Sequence, residues 1–305
     1  MADSNRADLA FIAEGVWGTT PSSALQTLRI TGESLTDQEE STESAEILSD
    51  RQLRDVIRTG RFSQGDVNFE LSAGTLDALL EGVMADTWSS NVLENGSTKK
   101  SFTFEKKIVT DGSPANHFFA FKGCRVDTLA LTLSQGAVIT GTLGIIGKAG
   151  VGSARTAGSG SYTAPGTTEP LSAVNLTALT EASTSPGNVT EVTLNLTNNI
   201  RRQMALGSTD PIGYGYGGFR ASGTLALYFA NRTLYDKYVA ETKTELEFTI
   251  TDAASKSYTF TVPATRWGTP EITIAGVNDD IFATFPWTAV RDVSTGSTIS
   301  ITRVP

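Results

Sequence analysis

The chain has 305 residues, of which 39% are hydrophobic and 19% charged, and its formal net charge is −9. This composition predicts a folded protein of one large or two ordinary domains, and the acidic balance argues against tight binding of nucleic acid. No apolar run is long enough to span a bilayer, and the acidic, polar N-terminus does not resemble a secretory signal. We therefore expect the protein to stay in the cytoplasm until it assembles.

The first 24 residues are expected to form an extended arm that turns at Thr20-Pro21, with Trp17 as an anchor on its own fold or on a neighbour. A strand is predicted at 25–30. Residues 33–62 then read as a long charged loop. Its acidic residues are Glu33, Asp37, Glu39, Glu40, Glu43, Glu46 and Asp50.

Four arginines follow this acidic stretch, at spacings of three, four and three: Arg51, Arg54, Arg58 and Arg61. The spacing predicts one side of a short helix, with Leu53, Val56 and Ile57 on the other side. One interpretation is a solvated charged loop. The alternative is a contact element whose acidic and basic ends meet complementary ends on adjacent subunits.

A half-buried strand is predicted at 65–71 because its apolar and polar residues alternate. The apolar face carries Val67, Phe69 and Leu71, and the polar face carries Asp66, Asn68 and Glu70. A short helix with Leu76, Leu79, Leu80, Val83 and Met84 on its core face follows, capped by Ser72 or Thr75. Further strands are predicted at 101–109, 117–122, 125–133 and 137–146, the last two around a Gln135-Gly136 turn.

Residues 147–170 are rich in Gly, Ser, Thr, Ala and Pro, which predicts a flexible linker or surface loop. We place a first unit at 1–150, a linker at 151–187 and a second unit at 188–305. The strands predicted in the second unit are 189–196, 222–229, 245–251, 257–263, 271–275, 280–285 and 297–303.

The connection 198–218 contains Arg201, Arg202, Tyr214 and Tyr216 within a glycine-rich tract. This tract lacks the lysine and the βαβ context of a phosphate-binding loop. An adaptable, tyrosine-bearing loop at an interface is the better interpretation.

The chemistry available to the chain is limited by a single cysteine, Cys124, and a single histidine, His117. One cysteine excludes an intrachain disulfide, and one of each makes a zinc site improbable. Cys124 is predicted to be a small buried filler, since no third group orients a Cys–His pair. Asp279 and Asp280, neighbours on one strand, would point to opposite faces and cannot flank one bond. The sequence predicts neither enzymatic activity nor a cofactor.

The sequence also repeats itself in order. The pattern of strand 65–71 and its helix occurs again at 223–229, followed by a second predicted helix. That helix carries Leu234, Tyr235, Tyr238 and Val239. Residues 100–104, Lys-Ser-Phe-Thr-Phe, are similar in sequence to residues 256–260, Lys-Ser-Tyr-Thr-Phe. We therefore predict a mainly β protein of two tandem units, each with one short helix on an antiparallel sheet.

Three passages resemble the tail tube proteins of long, non-contractile-tailed bacteriophages. They are Trp17-Gly-Thr-Thr-Pro21; Ser222 to Phe229 with Leu234 to Tyr238; and Ser257 to Pro263 with Ser300 to Arg303. The resemblance implies a β-sandwich or barrel-like unit whose copies assemble into rings. Stacked rings form a hollow tube in the virion, and the genome passes through its lumen without specific binding. The protein would be made in the host cytoplasm and would contact other tail proteins.

Because each chain would carry two units, we expect a trimeric ring with pseudo-six-fold symmetry, with a hexamer as the alternative. Strand edges that remain unpaired in one subunit would be covered when the ring closes. We expect Asp66, Asn68 and Glu70 to face the lumen. The residues expected at contacts between subunits or rings are Trp17, Glu39, Glu40, Glu43, Arg51, Arg54, Arg58, Arg201, Arg202, Tyr214 and Tyr216.

Two rival classes remain. One is a β-sandwich hydrolase acting on glycans. The other is a different virion component, such as a distal tail protein, a decoration protein or the inner tube protein of a contractile tail.

Overall fold

A computed structural model describes residues 2–47, 49–50, 52–112, 115–151, 162–274 and 276–305. Within those residues the chain is mainly β. The first half contains strands β1 (Ala2–Ala13), β2 (Gln26–Thr27), β3 (Gly32–Glu33), β4 (Thr36–Glu43), β5 (Val56–Glu70), β6 (Val92–Glu94), β7 (Phe102–Thr110), β8 (Asn116–Ser134), β9 (Thr140–Lys148) and β10 (Gly150–Val151), and helix α1 (Asp77–Met84).

The second half contains strands β11 (Leu176–Glu181), β12 (Val189–Thr197), β13 (Arg201–Gln203), β14 (Gly213–Gly215), β15 (Arg220–Tyr228), β16 (Thr244–Thr251), β17 (Ser257–Trp267), β18 (Glu271–Thr273), β19 (Phe282–Ala289) and β20 (Ser300–Val304), and helix α2 (Thr233–Val239). A short 3₁₀ helix, Ala173–Asn175, precedes β11.

One antiparallel sheet runs through both halves. Its strands pair in the order β4, β5, β9, β8, β12, β15, β19, β17, β16 and β11. The first part of β8 leaves this order and pairs with β7, which pairs with β1. Gly123, with a φ of 61°, lies near the point where β8 changes partners. The strands of the described residues do not close into a barrel.

The apolar face of the sheet forms one continuous core that includes both halves. Alternate residues of the long central strands are buried in it, for example Phe69, Leu131, Leu194 and Phe285. Helix α1 packs against the same core through Leu79, Leu80 and Val83. Alternation of buried and exposed residues is the pattern of a sheet covered on one side only.

The two halves share a strand order and a pattern of pairing. The elements β1, β4, β5, α1, β7, β8 and β9 correspond in sequence and in partners to β11, β12, β15, α2, β16, β17 and β19. The register corresponds as well, since Val67 pairs with Leu143 in the first half and Leu225 with Phe285 in the second.

A local feature repeats at matching positions of this arrangement. Gly65 and Gly223 both lie where a neighbouring carbonyl oxygen, of Ser34 and Thr193 respectively, approaches so closely that a Cβ would collide with it. Next to them, the Asp66 N–H donates to Ser34 Oγ at 2.9 Å and the Thr224 N–H donates to Thr193 Oγ1 at 2.8 Å. The strands β3–β4 and β12 therefore meet their partners in the same way.

The sequence likeness between 100–104 and 256–260 does not follow this correspondence. The first segment leads into β7 and the second into β17, whereas the partners of β7 match those of β16. The likeness reflects two alternating strands of similar composition, not equivalent positions.

The helix predicted over the arginines is wrong, as is the loop predicted at 33–62. Strands β4 and β5 form a long hairpin in which Ser41 pairs with Arg58. Val56 and Ile57 are β-branched, and a neighbouring strand offers them a ladder that a short isolated helix lacks. Arg51 lies outside the described residues.

Several smaller predictions also need correction. Neither Ser72 nor Thr75 caps α1; their hydroxyls lie 2.8 Å apart and bond each other. The strands predicted at 117–122 and 125–133 form the single strand β8, the strand predicted at 25–30 is limited to β2, and the one predicted at 137–146 begins at Thr140. Strand β11 lies inside the segment assigned to the linker, part of which (152–161) is outside the described residues.

Candidate functional site

The face of the sheet opposite the core is lined by small polar side chains, and we call it the polar face. One row crosses six strands from both halves: Asn68, Thr142, Ala130, Asn195, Ser222 and Thr288. The neighbouring row reads Glu70, Thr140, Thr132, Thr193, Thr224 and Pro286. The predicted residues Asp66, Asn68 and Glu70 lie together at its β5 end.

Three acidic residues lie on the polar face, two at its β5 end and one near its middle. Asp66 and Glu70 lie on β5, and Glu191 on β12 accepts a hydrogen bond of 2.8 Å from Ser134 Oγ. The twelve residues named in the two rows include no lysine or arginine; Arg220, which pairs with Thr197, comes at one end of the face, and Arg266 on β17 pairs with Thr288. A surface of hydroxyls, amides and carboxylates offers a phosphate backbone no cationic partner.

Neighbouring polar side chains on this face are bonded to one another. Thr142 Oγ1 donates to Asn68 Oδ1 at 2.8 Å, and the hydroxyls of Thr193 and Thr224 lie 2.8 Å apart. These contacts join β5 to β9 and β12 to β15 on the side away from the core.

The charged hairpin β4–β5 carries several of the predicted contact residues, and the structure pairs them within the chain. Arg58 bonds Glu39 at 2.6 Å, and Arg54 bonds Glu46 at 2.9 Å. The hydrogen bond from Arg58 lowers the pKa of Glu39, and the same contact raises the pKa of Arg58. Glu43 lies exposed at the end of β4.

The connection 198–218 folds back onto this hairpin. Arg202 bonds Glu40 at 2.7 Å, and its guanidinium lies 3.8 Å from the centre of the Phe62 ring. The Arg61 N–H donates to the carbonyl of Thr209 at 2.7 Å. The structure therefore brings Glu40 and Arg202 together, while Arg201 on β13 remains exposed.

The aromatic residues expected at an interface are mostly held inside the chain. Tyr214 is only 2% exposed and donates to the Gly147 carbonyl at 2.7 Å, and burial raises the pKa of its hydroxyl. Trp17 Nε1 donates to the Gly123 carbonyl at 2.9 Å, so Trp17 is anchored on its own fold. Tyr216 lies beneath the guanidinium of Arg125 at 5.4 Å. Tyr214 in particular has little surface left for another subunit.

Cys124 is fully buried, as the sequence predicted, and burial raises the pKa of its thiol. It pairs across the ladder with Phe102, whereas His117 pairs with Ile108 further along the same strands. Among the described residues no cluster of His, Cys, Asp and Glu could hold a metal ion. The described part of the chain also has no helix long and apolar enough to cross a membrane.

Sequence reasoning missed a contact that joins α1 to the C-terminal strands. The Tyr258 hydroxyl donates to Asp77 at 2.5 Å, and Arg303 forms an ion pair with the same carboxylate. The guanidinium of Arg303 also lies 4.3 Å from the centre of the Trp88 ring. An acidic residue in the first turn of a helix was the one available signal, but nothing local identified its partners.

Comparison with known proteins gives one family match. A family model described as phage tail tube protein matches residues 4–289, which is nearly the whole chain. No curated protein matches the chain.

Proposed function

This chain belongs to the phage tail tube protein family, and from that premise we propose that it polymerises into stacked rings that form the tube of a phage tail. The rings enclose a channel through which the genome leaves the virion. The protein is made in the host cytoplasm, joins copies of itself and other tail proteins, and lets the DNA pass through the lumen without specific binding.

The observation that carries this proposal is the polar face. It crosses six strands of both halves, from β5 to β19, and Glu70 is the only charged residue among the twelve that its two rows place on those strands. A wall of this kind lets duplex DNA slide, because lysine or arginine contacts would bind phosphates and release counterions. We assign Asp66, Asn68 and Glu70 to this lumenal wall.

The corresponding strand pairing of the two halves supports a ring of three chains. Two tandem units per chain supply six similar positions when three copies close around an axis, which gives pseudo-six-fold symmetry. A ring of six chains, each placing one unit in the wall and one outside, is the alternative.

The hairpin β4–β5 and the connection 198–218 extend from the sheet as one charged layer, joined by Arg202 and Glu40. We assign this layer to contacts between stacked rings. Its exposed apolar residues Leu53, Val56 and Ile57 would be covered there.

Electron microscopy of the purified protein tests the proposal. We expect tubes of uniform diameter that grow without other tail proteins. Isolated monomers, or closed knobs that never stack, would contradict it and would favour a decoration or distal tail protein.

A second experiment tests the channel wall. Asn68→Lys with Asn195→Lys places new cations on the polar face, one on each half, and both positions are exposed. Tubes of this variant should retain duplex DNA in a salt-dependent way, whereas Asn68→Gln with Asn195→Gln should behave like the original chain. Equal retention by the two variants would remove these residues from the wall.

A further inference from the structure

Among the strands that have one unpaired side in the described chain are β4 and β18; β11, at the end of the sheet order, is another. Strand β4, with the preceding β3, pairs on one side with β5, and β18 pairs on one side with β19. No other described strand covers their second sides. Every residue of β4 and β18 is exposed.

These two edges correspond to strands that are paired elsewhere in the same chain. We call the ladder between β8 and β12 the closed joint, in which Leu194 pairs with Leu131 and Val192 with Leu133. Strand β12 corresponds to β3–β4, as the repeated hydroxyl contacts of Ser34 and Thr193 indicate.

Strand β18 corresponds to the second part of β8. The pairing of Glu271 with Thr284 on β19 matches that of Ala130 with Thr142 on β9. In this correspondence Ile272 and Ile274 occupy the positions of Leu131 and Leu133.

Burial differs sharply between the corresponding residues. Leu131 and Leu133 are 1% and 4% exposed, whereas Ile272 and Ile274 are 37% and 78% exposed. Two isoleucines at an uncovered sheet edge form an adhesive surface that another strand would cover.

We infer that β3–β4 of one copy pairs with β18 of a second copy, antiparallel, in the register of the closed joint. Leu35 then pairs with Ile272, and Thr36 with Glu271. This inference rests on the proposed ring and names the edges that close it. No acidic residue faces another acidic residue in this register.

The backbone of Leu35 is already arranged for such a partner. The Ser34 N–H donates to the Asp66 carbonyl, so the N–H and C=O of the next residue point to the open side. There the Leu35 N–H donates to Glu33 Oε2 at 2.9 Å, and Lys106 Nζ donates to the Leu35 carbonyl at 2.9 Å.

Glu33 and Lys106 also bond each other at 2.7 Å and are largely buried. We call this arrangement the Glu33–Lys106 clip. It satisfies the edge amide and carbonyl of Leu35 in a single copy, and it must release them when the backbone of Ile272 arrives.

Engineered disulfides test the register on assembled protein. Thr36→Cys with Glu271→Cys joins a predicted non-hydrogen-bonded pair, whose Cβ atoms lie about 4.5–5.5 Å apart, within disulfide range. Gln38→Cys with Glu271→Cys is the matched control, because its diagonal spacing of about 7–8 Å disfavours a bond. Buried Cys124 contributes no competing thiol.

We expect oxidation of the first variant to give covalent multimers up to the full ring, and little product from the control. Rings that assemble but cross-link no better in the first variant than in the control would overturn the register while leaving the proposed function intact. Failure of the unmodified chain to form rings would instead refute the proposed function itself.

If the cysteine variant does not assemble, a second pair of variants tests whether β18 pairs with a second copy. Ile272→Asp should abolish rings at concentrations where the unmodified chain assembles fully, while the monomer stays folded. Val277→Asp, at a fully exposed turn position nearby, should assemble normally. Normal rings from Ile272→Asp would overturn the inference.

Discussion

The closed joint and the open edges are built from corresponding strands, which are paired with each other at the closed joint and unpaired at the open edges. At the closed joint Leu131 and Leu194 are buried against each other, whereas at the edges Ile272 is partly exposed and Leu35 offers its backbone to side chains. The closed joint is formed by folding of one chain, whereas no described strand of the same chain covers the second side of the open edges. In the assembly that we propose, the closed joint is the template for the contact with the next copy.

The matched variants Leu131→Ala and Ile272→Ala should differ most in their effect on the monomer. Leu131→Ala should cost about 2–5 kcal/mol of folding free energy, since it leaves a cavity in the core. Ile272→Ala should change monomer stability by less than about 1 kcal/mol and should raise the concentration needed for assembly.

Urea unfolding of the monomers and sedimentation of the assemblies measure the two effects. Equal losses of folding stability in the two variants would mean that β18 is already covered in the single chain, which contradicts an open edge.

The Glu33–Lys106 clip belongs to the open edge, so removing it should affect that edge and leave the closed joint unchanged. Lys106→Met keeps the length of the side chain but leaves the Leu35 carbonyl without its donor, at an expected cost of about 1–3 kcal/mol in folding. Because the edge is then free for a partner, assembly followed by light scattering should begin several-fold sooner.

Lys107→Met is the control for this prediction, since Lys107 bonds the exposed Asp8 instead. If Lys106→Met slows assembly as much as it destabilises the monomer, the clip is a stabilising contact only and has no part in docking.

The hairpin β4–β5 provides the smallest expected effect on the monomer. Arg54→Glu with Arg58→Glu reverses two exposed charges, so the unfolding midpoint should hardly change. Stacking of rings should nevertheless weaken, because the hairpin is assigned to that contact; the length distribution of tubes in micrographs measures it.

A charge swap separates the two sources of this effect. Arg58→Glu combined with Glu39→Arg restores the pair inside the hairpin. Tubes of normal length from the swap would assign the effect to that internal pair. Normal tubes from the original double reversal would remove the hairpin from the interface.

The sequence predicted the strands that alternate cleanly, because a strand covered on one side shows its burial directly in its residues. Strands β12 and β15, with Leu194 and Leu225 buried between polar neighbours, are found where they were predicted. The lumen-facing assignment of Asn68 likewise followed from alternation and stays a prediction, although the residue does lie on the exposed face.

The sequence failed where long-range partners decide the structure. The arginine spacing fits a helix, but pairing of β5 with β4 places Arg58 and Arg61 in a strand, and Arg54 lies in the connection before it. The closed joint was not predicted either, because no local sequence pattern connects β8 to β12. The Asp77 contact was missed because its partners, Tyr258 and Arg303, lie far along the chain.

The number of chains in one ring tests the proposed assembly. Native mass measurement of single rings, combined with rotational averaging of end views, gives this number. We predict three chains of 32.3 kDa and six similar lobes, as expected if the open edges repeat the closed joint around the axis. A ring of six chains would contradict that arrangement.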